Sequence, residues 1–336
     1  MKRLLNAENG LKVGAMADIE VLNEVERRIV VALQTDGRAT WRKIAKVIGE
    51  PERTVARYGS ALLEDGKVKV AAIGHRKAAV IASLKCAPGT IPVASEAISQ
   101  RSDTSFTYMV TGESDVVSEL HYDGGLEDIL TLQLPATPGL SSIQIYPILK
   151  YFKTIRAWRA GTLSEAQEAA LAPSAGGELT SWDPKDTLSE GDRLIVEVLR
   201  NNGRASIDSI SRQVRMSETS VSRRLDWLLR GEHISIRTLV DPALMGYRVE
   251  ALLWVQVSPA SVDALGNMLK TLPQVRYVAA VAGDAQLLVD VTVASQRDLY
   301  EFIAATDWGQ MVQLRTSMVL GARKRGGRMV EELRHS

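Results

Sequence analysis

A stretch of 43 residues occurs twice in this chain of 336 residues, at a constant offset of 166. Residues 26–68 lie on 192–234 without a gap, and thirteen positions are identical. They include Arg27/Arg193, Leu33/Leu199, Gly37/Gly203, Arg38/Arg204, Ala39/Ala205, Glu52/Glu218, Val55/Val221, Arg57/Arg223 and Leu62/Leu228. Ordinary amino-acid usage would give only about three coincidences over such a window. A repeat of this kind constrains the fold before any other signal does. The chain is one module, used twice.

Each module begins with three short helices. In the second copy, residues 192–201 put Ile195, Val198 and Leu199 on one face, and Asn202-Gly203-Arg204 stops the helix. Ser206 caps a helix running to about residue 214, and Ser217 caps a third after a tight Arg215-Met216 turn. Val221, Leu225, Leu228 and Leu229 form its buried stripe. The first copy follows with Gly37-Arg38, Thr40 as cap, and Val55, Leu62 and Leu63.

Beyond the helices the apolar period changes. Strands are predicted at 249–257, 275–282, 287–293 and 312–320, with helices at 259–272 and 295–306. The first copy repeats this order at 79–86, 91–100, 105–110, 116–122, 125–134 and 142–150. The order β-α-β-β-α-β is that of a ferredoxin-like domain. The expected fold class is α+β, with two helix-turn-helix (winged-helix-like) heads, each followed by a ferredoxin-like βαββαβ domain. The expected boundaries are an N-terminal extension at 1–18, heads at 19–72 and 188–240, ferredoxin-like domains at 73–158 and 241–326, a linker at 159–187 and a tail at 327–336. Pro173-Ser174-Ala175-Gly176-Gly177 marks the linker, and 164–171 reads as a short helix within it. Both Met1 and Met16 are candidate starts.

Bulk properties narrow the function classes. The net charge is +1, so any nucleic-acid contact must come from a local basic face. Over both repeated windows cations outnumber carboxylates. The lone Cys86 excludes an intrachain disulfide and a multi-cysteine metal site, and it reads as a small buried thiol in a cytoplasmic protein. No apolar run reaches the roughly 20 residues of a membrane span. No metal, no cofactor and no catalytic residue is indicated, because no phosphate loop, Cys/His spacing or Ser/His/Asp signature occurs. Trp227 and Trp254 are read as core.

A tight turn before the third helix is the pattern of a helix-turn-helix, whose last helix offers its N-terminal side chains to the major groove. The candidates are Ser217, Thr219, Ser220, Arg223 and Arg224 in the second copy, with Arg53, Thr54 and Arg57 in the first. The expected partner is double-stranded DNA. The first head is expected to be the weaker reader, because Glu50, Pro51 and Gly59 stand where the second has Met216, Ser217 and Leu225. A glutamate removes an apolar anchor, proline cannot cap through a side chain, and glycine deletes a core side chain.

The run from Leu188 to Tyr247 resembles the N-terminal half of the leucine-responsive/asparagine-operon (Lrp/AsnC) transcription regulators. The domain after it resembles their second domain, including TGESD at 111–115 and RTSMVLG at 315–321. The resemblance covers both copies, whereas the usual member has one, so the chain reads as a tandem fusion. It implies a DNA-binding regulator whose second domains pair and sense a small molecule, often an amino acid. The effector would sit at the turn after the second strand of that domain. The residues there are Thr111, Gly112, Glu113, Ser114 and Asp115 in the first copy, and Gly283, Asp284 and Gln286 in the second. Asp115 is the expected ammonium partner, and Gln286 stands in its place in the second copy, which departs there from the family pattern. The bare alternative is two ordinary hairpin turns, where Gly, Asp and Ser are common.

Siroheme decarboxylases resemble the same architecture and would need histidines and arginines for tetrapyrrole carboxylates. The chain offers His75, His121, His233 and His335, and Arg276 in the second strand of copy two. A third reading is a partner that oligomerises without binding DNA. Paired ferredoxin-like sheets leave two arrangements open: closure within one chain as a pseudo-dimer, or pairing between chains.

Overall fold

The computed structural model describes residues 20–74, 78–159, 161, 163–172, 188–231 and 233–330. His75, His335, both candidate starts and the Pro173–Gly177 run lie outside them. The first head is α1 (Glu24–Thr35), α2 (Trp41–Ile48) and α3 (Glu52–Glu64), followed by β1 (Val68–Gly74). Its ferredoxin-like domain is β2 (Ala78–Cys86), α4 (Ile91–Ser99), β3 (Thr104–Val110), β4 (Val116–Tyr122), α5 (Leu126–Asp128) running into a π-turn at Ile129–Gln133, and β5 (Leu140–Lys153). A short α6 (Glu165–Leu171) follows, with the capping box at Ser164. The second module is α7 (Glu190–Asn201), α8 (Ile207–Val214), α9 (Glu218–Arg230), β6 (Ile234–Val240), β7 (Val249–Val257), α10 (Val262–Leu269), β8 (Val275–Val281), β9 (Leu287–Val293), α11 (Gln296–Ala305), β10 (Met311–Arg325) and β11 (Arg328–Met329).

The expected element order stands, with corrections at the edges. The helix expected at 125–134 is one turn and a π-turn, and the last strand of each domain is longer than its apolar pattern. β11 pairs with β10, so the second domain continues past the boundary placed at 326. The linker is partly folded, since Leu171 is buried in the core of the first head, beside Trp158 from the end of the preceding domain. The repeat offset also changes: β2 and β7, β3 and β8, and β4 and β9 are related by 171 residues. The five extra residues fall between β6 and β7, where Pro242–Met245 makes a 3-10 turn that buries Met245 against the first head.

The open question of pairing is answered within the chain. β5 pairs with β2 of its own domain over residues 140–147, then crosses to β8 of the other domain over 148–153. β10 does the same, from β7 over 311–318 to β3 over 319–324. The two crossings are repeat-equivalent, Ile148 opposite Val281 and Val319 opposite Val110. Eight strands therefore close in the order β10-β3-β4-β2-β5-β8-β9-β7 and back to β10. A closed sheet leaves few free edges. Both domains fill its interior, with Tyr108, Val110 and Tyr146 against Leu252, Trp254 and Tyr277. Helices α4, α10 and α11 cover the outer faces.

The heads are paired by the same pseudo-symmetry. β1 and β6, which the periodicity did not reveal, form an antiparallel ribbon in which Ala71 stands opposite Arg237. Those two residues are repeat equivalents at offset 166, so a pseudo-two-fold axis passes between them. The ribbon is exchanged: β1 packs on α7 of the second head and β6 on α1 of the first. Arg38 donates to the carbonyls of Gly203 and Ala205 at 2.6 and 3.0 Å. Arg204 returns the contact to Gly37 and Ala39 at 2.7 and 2.9 Å. A Cβ on Gly203 would come within 3.0 Å of the Val70 and Ala71 backbone, so only glycine admits the ribbon this closely. Among the described residues, no helix is long and apolar enough to cross a membrane.

Each arginine satisfies two carbonyls of the opposite head, and Arg204 also stacks on Trp41 at 4.3 Å. R38A should cost about 1–3 kcal/mol in urea unfolding by leaving those carbonyls unpaired. R204A should cost more, because it also removes the cation–π contact.

Candidate functional site: reading helices and interface turns

The second head presents a continuous face on α9. Thr219, Ser222, Arg223, Asp226, Trp227 and Arg230 line an open cavity of about 720 Å³ together with Glu218 and Ile207. Ser217 caps the helix by accepting from Ser220 N, so these two hydroxyls shape the helix start. Arg215 closes the turn before it at φ 54°, a left-handed conformation unusual for a residue with a Cβ.

Two expectations for this head change. Arg224 does not join the face: its guanidinium turns back to Asp192 at 2.9 Å and Ser189 Oγ at 2.8 Å, at the start of α7. Trp227 is not core: it is 40% exposed and stacks on His233 at 4.0 Å, whereas Trp254 is buried as expected. Ser222, Asp226 and Arg230 were missed, although their three- and four-residue spacing from Thr219 and Arg223 puts them on one helix face.

On the first head Arg53 and Arg57 are exposed on α3, Thr54 is half-buried, and the Arg57 guanidinium lies 4.6 Å from the Tyr58 ring. Two of the three grounds for a weaker first head fall away. Gly59 leaves no hole, since the Trp41 ring occupies the space and a Cβ there would lie 2.5 Å from it. Trp41 with Gly59 replaces Ile207 with Leu225. Glu50 is no bare loss either, because it pairs with Arg28 at 3.7 Å. The third ground stands: Pro51 caps α3 without a side-chain hydrogen bond.

The two interface turns lie at the pseudo-two-fold end of the closed sheet, each held by the other module's last strand. Thr111 N donates to Met318 O at 2.9 Å, and Ala282 N donates to Pro147 O at 2.8 Å. Asp115 is committed to structure: its carboxylate accepts from Cys86 N at 2.8 Å and pairs with Lys85 at 3.4 Å. Gln286 does the same work in the second copy, accepting from Val257 N at 3.2 Å. The Asp-to-Gln difference thus preserves a turn-closing bond, and neither side chain is free for an effector ammonium. Ser114 is likewise occupied by Ser83.

The groups left at the turns converge on Arg315, which belongs to the RTSMVLG segment. It pairs with Glu113 of the first turn and with Asp284 of the second at 3.1 Å. Trp254 lies beneath it at 5.9 Å. Tyr146 packs its ring over Gly283, where a Cβ would meet it at 2.5 Å, and on Trp254 at 4.8 Å. Burial, then hydrogen bonding to Asp284, pushes the Tyr146 hydroxyl up to about 12. The equivalent of Tyr146 beside Gly112 is Ser317. The second turn is therefore covered by an aromatic ring and the first is not.

Arg276 and His121, the residues with tetrapyrrole-type chemistry, are both engaged inside the protein. Arg276 is buried with Nη1 2.5 Å from Glu250 and 3.6 Å from Asp290, and Arg325 holds the same glutamate. Burial and the Glu250 charge raise the Asp290 carboxyl to about 8. Burial would also raise Glu250, but Arg325 and Arg276 outweigh it and hold it at about 2. His121 bonds Ser105 and faces Glu119 at 3.5 Å.

The AsnC-type helix-turn-helix domain family matches residues 22–57 and 188–229, and the Lrp/AsnC ligand binding domain family matches residues 250–329. An uncharacterized HTH-type transcriptional regulator of Pyrococcus abyssi is 32% identical over 120 residues, which is 35% of this chain and 76% of that protein. The chain belongs to the Lrp/AsnC family. The HTH-type transcriptional regulator LrpC of Bacillus subtilis is 27% identical over 120 residues, 35% of this chain and 83% of that protein. Each of these relatives matches about one module, as a tandem fusion requires. Among solved structures, the siroheme decarboxylase NirDL superposes with a TM-score of 0.62 over 93% of this chain and 96% of that one. At 14% identity this likeness shows a shared two-module fold and nothing about chemistry.

The Trp41–Gly59 exchange is testable. G59L should destabilise the first head by about 1–3 kcal/mol through overpacking. Adding W41I should restore much of that, read as non-additivity in a double-mutant cycle. The Asp290 shift carries a definite sign. Its native pKa is raised, so its protonated form stabilises the fold fully below the ordinary aspartate range, and this contribution is lost as pH climbs towards about 8. D290N keeps the group neutral, so its stability relative to the parent should grow across that window, by up to about 1.4 kcal/mol per pH unit. Urea unfolding at stepped pH values measures it.

Proposed function

We propose that this chain is a transcription regulator that binds duplex DNA with both heads as a single-chain pseudo-dimer, and that a small zwitterion acting at Arg315 modulates it. The observation that carries the reading is the reciprocal Arg38/Arg204 contact across the β1–β6 ribbon, which sets two reading helices about one pseudo-two-fold axis. DNA presents successive major grooves about 34 Å apart along one face, which suits two-fold-related heads. Arg53 and Arg57 on one head, and Arg223 and Arg230 on the other, supply exposed cations for phosphates and base edges in a chain of near-zero net charge. The named relatives are transcription regulators, and this supports regulation over catalysis.

An α-amino acid suits the turns by its two charges. Its carboxylate can take the Arg315 guanidinium, and its ammonium can take Glu113 or Asp284, which Arg315 now pairs. Binding would exchange one ion-pair network for another at the junction of the two modules. This reading replaces Asp115, whose carboxylate is occupied, with Glu113 and Asp284 as the acidic partners.

Fluorescence anisotropy on the DNA upstream of the chain's own gene tests the first part. R57A and R223A should each weaken binding about tenfold or more, and affinity should fall steeply with salt. Loss from R223A alone would return the first head to the role of a bystander, and no binding by the parent chain would remove the regulator reading. Calorimetry with the twenty amino acids tests the second: R315A should abolish any heat seen with the parent. A tetrapyrrole absorption band in the purified protein would favour the enzymatic alternative.

A further inference from the structure

The loops that bond across the pseudo-two-fold axis are identical in the two copies, whereas the outward faces of the two reading helices differ. Gly37/Gly203, Arg38/Arg204 and Ala39/Ala205 are identical pairs, and they make the contacts across the pseudo-two-fold axis. On the outward face of the last helices the pairs are Glu52/Glu218, Arg53/Thr219, Ala56/Ser222, Arg57/Arg223, Ser60/Asp226, Ala61/Trp227 and Glu64/Arg230. Only the Glu52/Glu218 and Arg57/Arg223 pairs match. At Glu64/Arg230 the charge is reversed, and at Ala61/Trp227 a methyl stands against the largest side chain. None of these residues on α9 is buried, and on α3 only Ala56 and Ser60 are even half-buried, so core packing does not explain the divergence.

A homodimer with two-fold-related heads reads an inverted repeat, because both half-sites meet the same side chains. This molecule keeps the two-fold frame but offers two different chemistries. Arg53 and Arg57 give the first head two exposed guanidiniums one helical turn apart, a pattern suited to guanine O6 and N7. The second head has one arginine there, with Thr219 and Ser222 hydroxyls beside it and the exposed Trp227 ring further along. Hydroxyls and an apolar ring suit other base edges, including the thymine methyl.

We propose that the chain recognises a non-palindromic operator, made of two unlike half-sites about one helical turn apart, and so binds DNA in one fixed orientation. This rests on the reading that both heads bind DNA. The residues that specify the first half-site are Arg53, Ala56, Ser60, Ala61 and Glu64, and those that specify the second are their equivalents on α9. Covalent fusion is what permits this, since two identical subunits cannot present unlike heads from one gene.

The test is selection from a random duplex pool with the full-length chain, followed by directional cleavage. An iron chelate tethered through D65C, beside the first head, generates hydroxyl radicals locally, and the native Cys86 is buried. The expected result is a consensus with unlike halves and cleavage at one end of the footprint only. Replacing either half-site by a copy of the other should lower affinity at least about tenfold. An inverted-repeat consensus with cleavage at both ends would overturn the inference while leaving the regulator reading intact. Failure to enrich any sequence would overturn both. A chain carrying R53T, A56S, S60D, A61W and E64R should select an inverted repeat of the second half-site. If it still selects the parental asymmetric site, these positions do not set specificity.

Discussion

Two strands that outlast their own domains hold this molecule together. β5 and β10 each satisfy one ferredoxin-like sheet with their first half and the other sheet with their second. Backbone donors and acceptors that would be orphaned at a sheet edge are paired across the repeat. The exchange closes eight strands around an interior to which both domains contribute. Tyr146 from one module packs on Trp254 of the other, and Phe106 meets Tyr277 edge-on at 6.2 Å. Two interface turns, one arginine between them and two heads above follow from that closure.

The exchange recurs at the heads in another form. The β1–β6 ribbon packs each strand on the opposite head, and Arg38 and Arg204 bond the opposite loop. Coupling between sheet and heads has a physical route at the same axis. Arg237, opposite Ala71 in the ribbon, is half-buried; desolvation and then the Arg156 charge lower its pKa to about 10, and the nearby Glu119 and Tyr151 of the closed sheet counter part of that shift. Tyr151 and Tyr277 both donate to Glu119, at 2.7 and 3.1 Å, one from each module. A change in how the two modules meet at Glu119 would therefore be felt electrostatically by Arg237 in the ribbon.

Pseudo-symmetry gives the scaffold, and its violations give the chemistry. Asp115 and Gln286 differ in charge but close the same turn on the same backbone N–H. Trp41 with Gly59 and Ile207 with Leu225 fill equivalent space with opposite divisions of volume. Such pairs change the residues but keep the same local contact. Tyr146 against Ser317 and Ala61 against Trp227 are different in kind. The first changes how one turn is covered from inside the protein, and the second changes what an outside molecule would meet on one head.

Much of this was legible in the sequence because it is local. The helix stops at Gly37 and Gly203, the caps at Thr40, Ser206 and Ser217, and the alternation of 249–257 are set by residues within a few positions of one another. The offset repeat then fixed the module count, and paired family-like segments fixed the fold class. Exposure of Thr219 and Arg223 also follows from helical spacing. What the chain alone did not reveal depends on partners far away in sequence. Arg224 is as polar as Arg223, but only the packed start of α7 decides that it turns to Asp192. Gly59 reads as a defect until Trp41 is placed over it. Asp115 reads as a ligand group until Cys86 N is found against it. Local chemistry determined which elements form and that they form twice. Tertiary structure alone decided that the copies close on each other, because strand pairing across some 130 to 210 residues leaves no periodic trace in either strand.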